Sequence, residues 1–326
     1  MRPAISVILL TTLIGVGQGL FLALFTVQSY ALVGVLEASV PRAWYAIGSA
    51  VALAALAAGL VASFFHLGRP ERAWRSATQW RTSWLSREVI VLPAFMAVVA
   101  LYGLAHGLDA SPSLLRLGGG VDIDLSFVLG ALGTLLAFAL FVCTAMIYAC
   151  VRFLAEWHSP LTIVNYILLG GASGFTLATA LASLVAPGLV GFLSGWALLI
   201  TLLAAVGRGA SLWRNARLKP TSTLQSAIGV KHPVIAQKSQ GFMGGSFNTR
   251  EFFHGASRGR LRLVKHTFVW LVFVVPLVLL WAGREEAATP WLMAAFLVQY
   301  LGLLAERWFF FAQANHPQNL YYQAVS

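Results

Sequence analysis

Eight long apolar stretches limit what this chain can fold into more than any other feature of its sequence. A helix needs about 20 apolar residues to cross the hydrocarbon core of a bilayer. The stretches that reach this length are 4–27, 43–65, 89–108, 125–149, 160–186, 188–206, 265–282 and 290–312. Only 10% of the residues are charged, against about a quarter in soluble domains. The sequence therefore predicts an all-α fold, a polytopic membrane bundle of eight transmembrane helices that forms a single domain over residues 1–326.

The distribution of Lys and Arg predicts how this bundle is oriented. Eight spans place both termini on one side of the membrane, together with the loops after the second, fourth and sixth spans. That side holds 19 of the 22 Lys and Arg residues, and the opposite side holds 3. Basic residues concentrate in cytoplasmic loops. We therefore expect both termini to be cytoplasmic, and we read the net charge of +11 as a sign of membrane orientation, with no nucleic-acid partner.

The loop between the second and third spans, residues 65–89, is dense in polar and protonatable side chains. His66 closes the second span, Glu88 opens the third, and the loop carries Arg69, Arg72 and three further arginines. Reduction of a quinone requires two electrons and two protons. A histidine can hydrogen-bond a ring oxygen, a buried glutamate can relay protons, and arginine can stabilise developing negative charge. We therefore predict a quinone pocket with His66 and Glu88 as catalytic groups and Arg69 and Arg72 as further binding residues.

Each of these residues also has a structural interpretation. The imidazole of His66 can bond a carbonyl at a helix end, and Glu88 is a favourable charge at a helix N-terminus. Part of the arginine density is ordinary positive-inside bias. Gln18 lies among glycines of the first span, where it serves helix packing or contributes to the pocket. Near the end of the last span, Glu306 and Arg307 should pair with each other or with another group inside the bundle.

The sequence predicts no metal site and disfavours haem b; the alternative is a haem held near the cytoplasmic face by a histidine pair such as His66 with His158 or His266. All seven histidines fall in loops or at span ends, whereas haem b needs histidines that face each other inside the bundle. Two cysteines cannot hold an iron–sulfur cluster, which needs about four thiolate ligands. The chain also lacks a nucleotide-binding loop and a hydrolase motif. Any electrons that reach the predicted quinone must therefore come from a partner protein.

Residues 207–265 form the one long polar insertion, between the sixth and seventh spans. The insertion holds eleven Lys and Arg residues and a single acidic residue, Glu251, and it is rich in Phe and Gly. Loops longer than about 15 residues are usually functional or disordered. Aromatic residues and arginine are also enriched in protein interfaces. We interpret the insertion as a cytoplasmic docking arm. The alternatives are a disordered basic loop and a segment held on anionic lipid.

Two motifs of the 65–89 loop resemble a known family. The segments His66-Leu-Gly-Arg-Pro-Glu-Arg-Ala-Trp74 and Ser83-Trp-Leu-Ser-Arg-Glu88 are similar to the H-L-G-x-P-x-R-A and S-x-L-S-x-E motifs of the dimethyl sulfoxide reductase membrane anchors. In that family the motifs stand between the second and third of eight helices. The resemblance implies a quinone-binding role for His66, Arg72 and Glu88. It also implies two partners, a four-cluster iron–sulfur subunit and a molybdopterin catalytic subunit, which hold those cofactors.

Three features single out one branch of this family. The predicted loop lies in the cytoplasm, whereas the reductase anchors present it to the periplasm. The long basic arm and the terminal segment His316-Pro-Gln-Asn-Leu-Tyr-Tyr-Gln323 resemble the anchors of membrane-bound, cytoplasm-facing sulfite dehydrogenases. We therefore expect an anchor in the bacterial inner membrane that passes electrons from sulfite oxidation to ubiquinone or menaquinone. The alternatives are a quinol-oxidising anchor of a sulfoxide or other oxyanion reductase and, from another class, a small-anion transporter.

Overall fold

In the part of the chain that the structure describes, eight helices are long and apolar enough to cross a membrane, and they form the body of the protein. A computed structural model describes residues 1–36, 40–116, 122–219, 222–236, 253–284, 288–317 and 319. The spanning helices are α1 (Ile5–Leu32), α2 (Arg42–Phe64), α3 (Trp84–Gly107), α4 (Leu125–Ala149), α5 (Pro160–Val185), α6 (Val190–Asn215), α8 (Arg258–Gly283) and α9 (Thr289–Ala312). The short helix α7 (Leu224–Ile228) lies between α6 and α8. All eight spans predicted from hydropathy are confirmed.

The first and fifth helices form the centre of the bundle and are its most buried spans. Glycines let their backbones touch. A Cβ atom on Gly174 of α5 would overlap backbone atoms of Gly19 and Leu20 in α1, and one on Gly19 would overlap the carbonyl of Gly170. Small residues at a helix interface allow this close approach in membranes, where apolar burial alone provides no drive for association. The remaining spans surround this pair.

One end of the bundle carries the 65–83 loop, and we call this end the motif face. Three contacts place other chain segments there. The terminal amine of Met1 donates to the carbonyl oxygen of Ala314 at 2.7 Å. Trp157 Nε1 donates to the carbonyl of Phe310 at 2.8 Å, and Arg214 Nη1 donates to the carbonyl of Ala155 at 3.0 Å. The start of α1 and the ends of α4, α6 and α9 therefore share this face, as eight crossings require.

The opposite end of the bundle has its own polar contacts. Arg42 pairs with Asp109 across the start of α2 and the end of α3. A short antiparallel pair, β1 (Ser113–Arg116) and β2 (Asp122–Asp124), precedes α4. The carboxylate of Asp124 accepts a hydrogen bond from the backbone N–H of Phe127 and so caps α4. These contacts connect successive spans far from the motif face.

The predicted docking arm is shorter in the structure than in the sequence interpretation. Helix α6 continues to Asn215 and α8 already begins at Arg258, so the connection spans 216–257. Residues 237–252 of the arm and most of the terminal segment 316–323 lie outside the described residues. Within α8, Trp270–Val274 form a π-helical turn, and Gln299 Nε2 donates to the Val272 carbonyl of that turn at 3.2 Å.

Candidate functional site at the motif face

A cavity of about 1010 Å³ opens at the motif face between α1, α2 and the start of the 65–83 loop. Its walls are mainly apolar. The lining includes the N-terminal residues 1–7 together with Leu9, Leu13, Ala58, Val61, Ala62, Phe65, Trp157 and Phe311. His66 is one of the few polar side chains that line it, together with Arg2 and Ser6. The structure therefore places this sequence-predicted residue in a cavity.

The environment of His66 favours the neutral imidazole. His66 follows the last turn of α2, and its backbone N–H donates to the Ser63 carbonyl at 3.3 Å. Partial burial lowers the pKa of His66 below its usual value, because a charged ring is poorly solvated there. A neutral imidazole carries one N–H donor and one acceptor nitrogen. At neutral pH His66 can therefore donate a hydrogen bond to a ligand oxygen.

Glu88 is buried inside the bundle, on the side of α3 that faces α4. The Ser83 hydroxyl caps α3 by accepting from the backbone N–H of Ser86 at 3.3 Å, which fixes the first turn and directs Glu88 inward. Its side chain is 6% exposed, and Thr144 Oγ1 donates to its Oε1 at 2.5 Å. Within the described residues, Glu88 is not part of the cavity lining. The structure does not bring it into direct contact with His66.

The other predicted binding residues lie apart from the cavity lining. Arg69 and Arg72 are exposed, at the start of a 3-10 helical segment, Pro70–Gln79. Arg72 Nε lies 3.8 Å from Oε1 of its neighbour Glu71. Gln18 is buried and its Nε2 donates to the Ala137 carbonyl at 2.8 Å, which ties α1 to α4. Of the two sequence interpretations of Gln18, this bond agrees with helix packing.

A group of aromatic rings backs the cavity wall. Tyr148 of α4 packs edge-on against Trp157 and Phe311, with ring centroids 5.4 and 5.3 Å apart, and stacks on Tyr166 of α5 at 5.9 Å. Trp157 in turn stacks on Phe310 at 5.6 Å. These rings join α4, α5 and α9 beside the cavity.

Behind the aromatic rings lies a buried ionic cluster of three residues, Arg208, Glu306 and Arg307. Arg208 Nε is 2.8 Å from Glu306 Oε1, and both side chains are 2% exposed. Arg307 Nε is 3.8 Å from Glu306 Oε2, and its guanidinium lies 3.9 Å from the Tyr166 ring centre. The prediction that Glu306 and Arg307 pair inside the bundle is confirmed.

Sequence reasoning missed Arg208, because the predicted sixth span stopped at 206 and assigned this residue to the docking arm. The structure corrects that assignment: Arg208 belongs to α6 and is buried. A signal was available in the sequence. A buried Glu306 beside Arg307 leaves room for a second cation, and Ala210, Leu212 and Trp213 continue a helical apolar pattern beyond Arg208.

Comparisons with known proteins agree with this architecture. The model of the DMSO reductase anchor subunit family (DmsC) matches residues 1–313. The chain belongs to this family. It is also 55% identical to a sulfite dehydrogenase subunit from Allochromatium vinosum, over all 326 residues and the whole of both chains. The family match includes the cavity, Glu88 and the ionic cluster, and membership of an anchor family argues against the transporter alternative.

Proposed function

We propose that this anchor-family member is the quinone-binding membrane subunit of a sulfite-oxidising complex. The observation that carries the proposal is the cavity beside the 65–83 loop, lined by His66, in a chain that matches a sulfite dehydrogenase subunit along its whole length. In this proposal the chain lies in a bacterial inner membrane and passes electrons to the quinone pool.

The cavity suits a quinone in size and chemistry. Small-molecule pockets measure about 300–1,000 Å³ and are mostly apolar, with a few polar groups that orient the ligand. This cavity is at the upper end of that range, with room for the ring and the first part of a ubiquinone or menaquinone tail. When bound, a quinone would accept two electrons and two protons. His66 would hold a ring oxygen, and Trp157 and Phe311 would contact the ring.

The proposed roles of the remaining site residues follow from their positions. Glu88, buried and bonded to Thr144, would hold a proton for delivery toward the cavity. Arg69 and Arg72 lie on the exposed loop that carries His66. Their positive charge would stabilise negative charge that develops on a reduced quinone. Their exposed side chains would also form part of the surface that a partner contacts. Gln18 keeps its packing role.

The partners in this proposal are an iron–sulfur subunit with four clusters and a molybdopterin catalytic subunit, docked on the motif face. The strong excess of Lys and Arg at this face supports a cytoplasmic location for it. The loop at 65–83 and the connection at 216–257 would form the docking surface. A sulfite substrate for the catalytic partner is supported by the Allochromatium relative.

The proposal predicts a specific defect for His66→Ala in the purified intact complex. Sulfite-driven reduction of a quinone analogue should fall by about 100-fold, the size of effect typical for loss of a proton-transfer or polarising group. Sulfite oxidation with a soluble artificial acceptor should continue, because that half-reaction does not use the anchor. Binding of the analogue, followed by quenching of tryptophan fluorescence, should weaken in parallel.

His266→Ala is the matched control, since His266 is exposed on α8 and lies outside the cavity lining. It should leave both activities unchanged. Full quinone reduction and unaltered analogue binding in His66→Ala would contradict the assignment of the cavity. Quinol-driven reduction of an oxyanion, with no sulfite oxidation in the native complex, would instead favour the reductase alternative.

A further inference from the structure

A smaller cavity of about 450 Å³ opens at the motif face between α1, α8 and α9, and we call it the α8 groove. Its walls are almost entirely apolar and include Ile5, Leu9, Val264, Leu304 and Trp308. Among its described lining residues, only Arg260 is charged. The volume is within the usual range of small-molecule sites, about 300–1,000 Å³. The α8 groove therefore combines room for an apolar part of a ligand with one positive charge.

The lining residues show how deep the α8 groove reaches into the membrane. Arg260 stands in the first turn of α8, and Trp308 lies about one turn from the end of α9. Val264 follows Arg260 by four residues, which is about 6 Å along the helix. Tryptophan is enriched where a membrane meets water, and a basic side chain near a helix end reaches toward the headgroups. Arg260 is thus at the level of lipid headgroups, and Val264 is at the level of the acyl chains.

The apolar wall of the groove continues along α9 into the membrane. Leu301 precedes the groove residue Leu304 by three positions, and Leu297 precedes Leu301 by four. Residues with this spacing lie on one side of a helix. The exposed fractions of Leu297 and Leu301 are 55% and 59%, so in a bilayer this row of side chains contacts lipid. The α8 groove is therefore continuous with a lipid-facing surface.

The start of α8 is strongly basic. Residues 258–265 hold four Lys and Arg residues and no acidic residue. Arg258, Arg260 and Arg262 are exposed, and no carboxylate of the described residues pairs with Arg260. Basic clusters beside a membrane span attract anionic lipids, and basic pockets between spans bind their headgroups. Both the charge and the adjoining apolar wall are thus complementary to an anionic lipid.

We propose that the α8 groove is a binding site for one anionic phospholipid. Arg260 donates hydrogen bonds to the phosphate, because its planar fork of N–H groups matches two phosphate oxygens. One acyl chain lies between Val264 and Leu304 and continues along Leu301. The ring of Trp308 contacts the lipid at the level where the headgroup meets the chain.

A lipid in this position would also join α8 to the start of α1. Ile5 and Leu9 of α1 line the α8 groove and the larger cavity with His66. The first turns of α1 therefore lie between the two cavities. The lipid site does not rest on the quinone assignment, since different helices supply the rest of its lining.

The test measures lipid binding to the intact complex in detergent by native mass spectrometry. Phosphatidylglycerol and phosphatidylcholine with the same acyl chains are the two probes, because they differ in headgroup charge. The native complex should bind phosphatidylglycerol more tightly than phosphatidylcholine. Arg260→Gln should weaken binding of phosphatidylglycerol by about fivefold to tenfold, since one cation beside an anionic headgroup is lost. Binding of phosphatidylcholine should change little.

Arg262→Gln is the matched control. Arg262 is exposed two residues further along α8, on the opposite side of the helix, and is not among the described lining residues. It removes the same charge, so a diffuse attraction predicts equal losses in the two variants. A site in the groove predicts the loss in Arg260→Gln alone. Ala305→Phe, which fills the groove without a change of charge, should also weaken binding of phosphatidylglycerol.

Three results would overturn the proposal. The first is equal binding of the two lipids by the native complex, and the second is an equal effect of Arg260→Gln and Arg262→Gln. The third is displacement of phosphatidylglycerol by inorganic phosphate, which would identify a site for a free anion. If Arg260→Gln keeps its lipid but loses the partner subunits, Arg260 docks a protein, and the lipid site is equally excluded.

Discussion

Among single residues, Glu306 is the acidic residue that compensates two buried positive charges, those of Arg208 and Arg307. Its carboxylate lies between two buried guanidiniums, and the nearer contact is 2.8 Å. An ion pair inside a bundle gains little over an apolar pair of the same size, but either partner alone is very costly. Glu306 is therefore required because Arg208 and Arg307 are present.

This asymmetry gives a prediction about stability. Glu306→Ala should destabilise the bundle by about 3–5 kcal/mol, since it leaves buried charge uncompensated. The double variant Arg208→Met, Glu306→Leu should recover part of that loss, because it removes both charges of the closest pair and leaves only Arg307 uncompensated. Thermal unfolding in detergent or nanodiscs measures the difference. Glu71→Ala, at an exposed carboxylate, should stay within about 0.5 kcal/mol of the native protein. Equal losses in the single and double variants would contradict this account.

The residue types of the site could be predicted from sequence, but their distances could not. His66 and Glu88 stand at the two ends of one loop, which suggested a shared pocket. The structure places His66 in the cavity and turns Glu88 toward Thr144 of α4. The direction of Glu88 depends on the cap at Ser83 and on the rotation of α3, and neither is determined by spacing in the loop. The contact of Arg208 with Glu306 joins residues 98 positions apart.

At the scale of elements, hydropathy predicted all eight helices, but the predicted spans were too short where a helix carries basic residues at one end. Windows of apolar residues stop at Arg208 and restart at Lys265, although Leu and Arg are both good helix formers. Basic side chains near a helix end reach toward the interface while their backbone remains helical. The helices α6 and α8 therefore extend into the predicted arm. Nothing in the hydropathy pattern indicates the π-helical turn of α8.

The contact between α1 and α5 gives a prediction about helix packing. Gly174→Ala should push the two helices apart, because its new Cβ overlaps the backbone at Gly19 and Leu20. Overpacking of this kind costs about 1–3 kcal/mol, and the yield of assembled complex should fall. Gly195→Ala on α6 is the matched control, since open space surrounds that position. It should be neutral or stabilise by up to about 1 kcal/mol through helix propensity. Equal behaviour of the two variants would argue against tight packing there.

At the scale of the whole molecule, the charge asymmetry makes a prediction about sidedness. Both ends of the described chain meet at the motif face, and this face receives most of the Lys and Arg. Green fluorescent protein fused after residue 312 should therefore fluoresce, because it folds in the cytoplasm. Alkaline phosphatase fused within 108–116 should be active, because it matures outside. The reverse pattern would place the motif face outside and would favour a reductase with its site in the periplasm.

The tight pairing of α1 with α5 also bears on how the protein is made. The ribosome releases α1 first, and about 130 residues intervene before its partner emerges. During that interval the glycine surface around Gly15 and Gly19 has only lipid, α2 or the insertion machinery to cover it. Completion of the fold must therefore wait for the fifth span. A nascent chain stalled before residue 160 would expose an unpaired surface that quality-control proteases in the membrane can recognise.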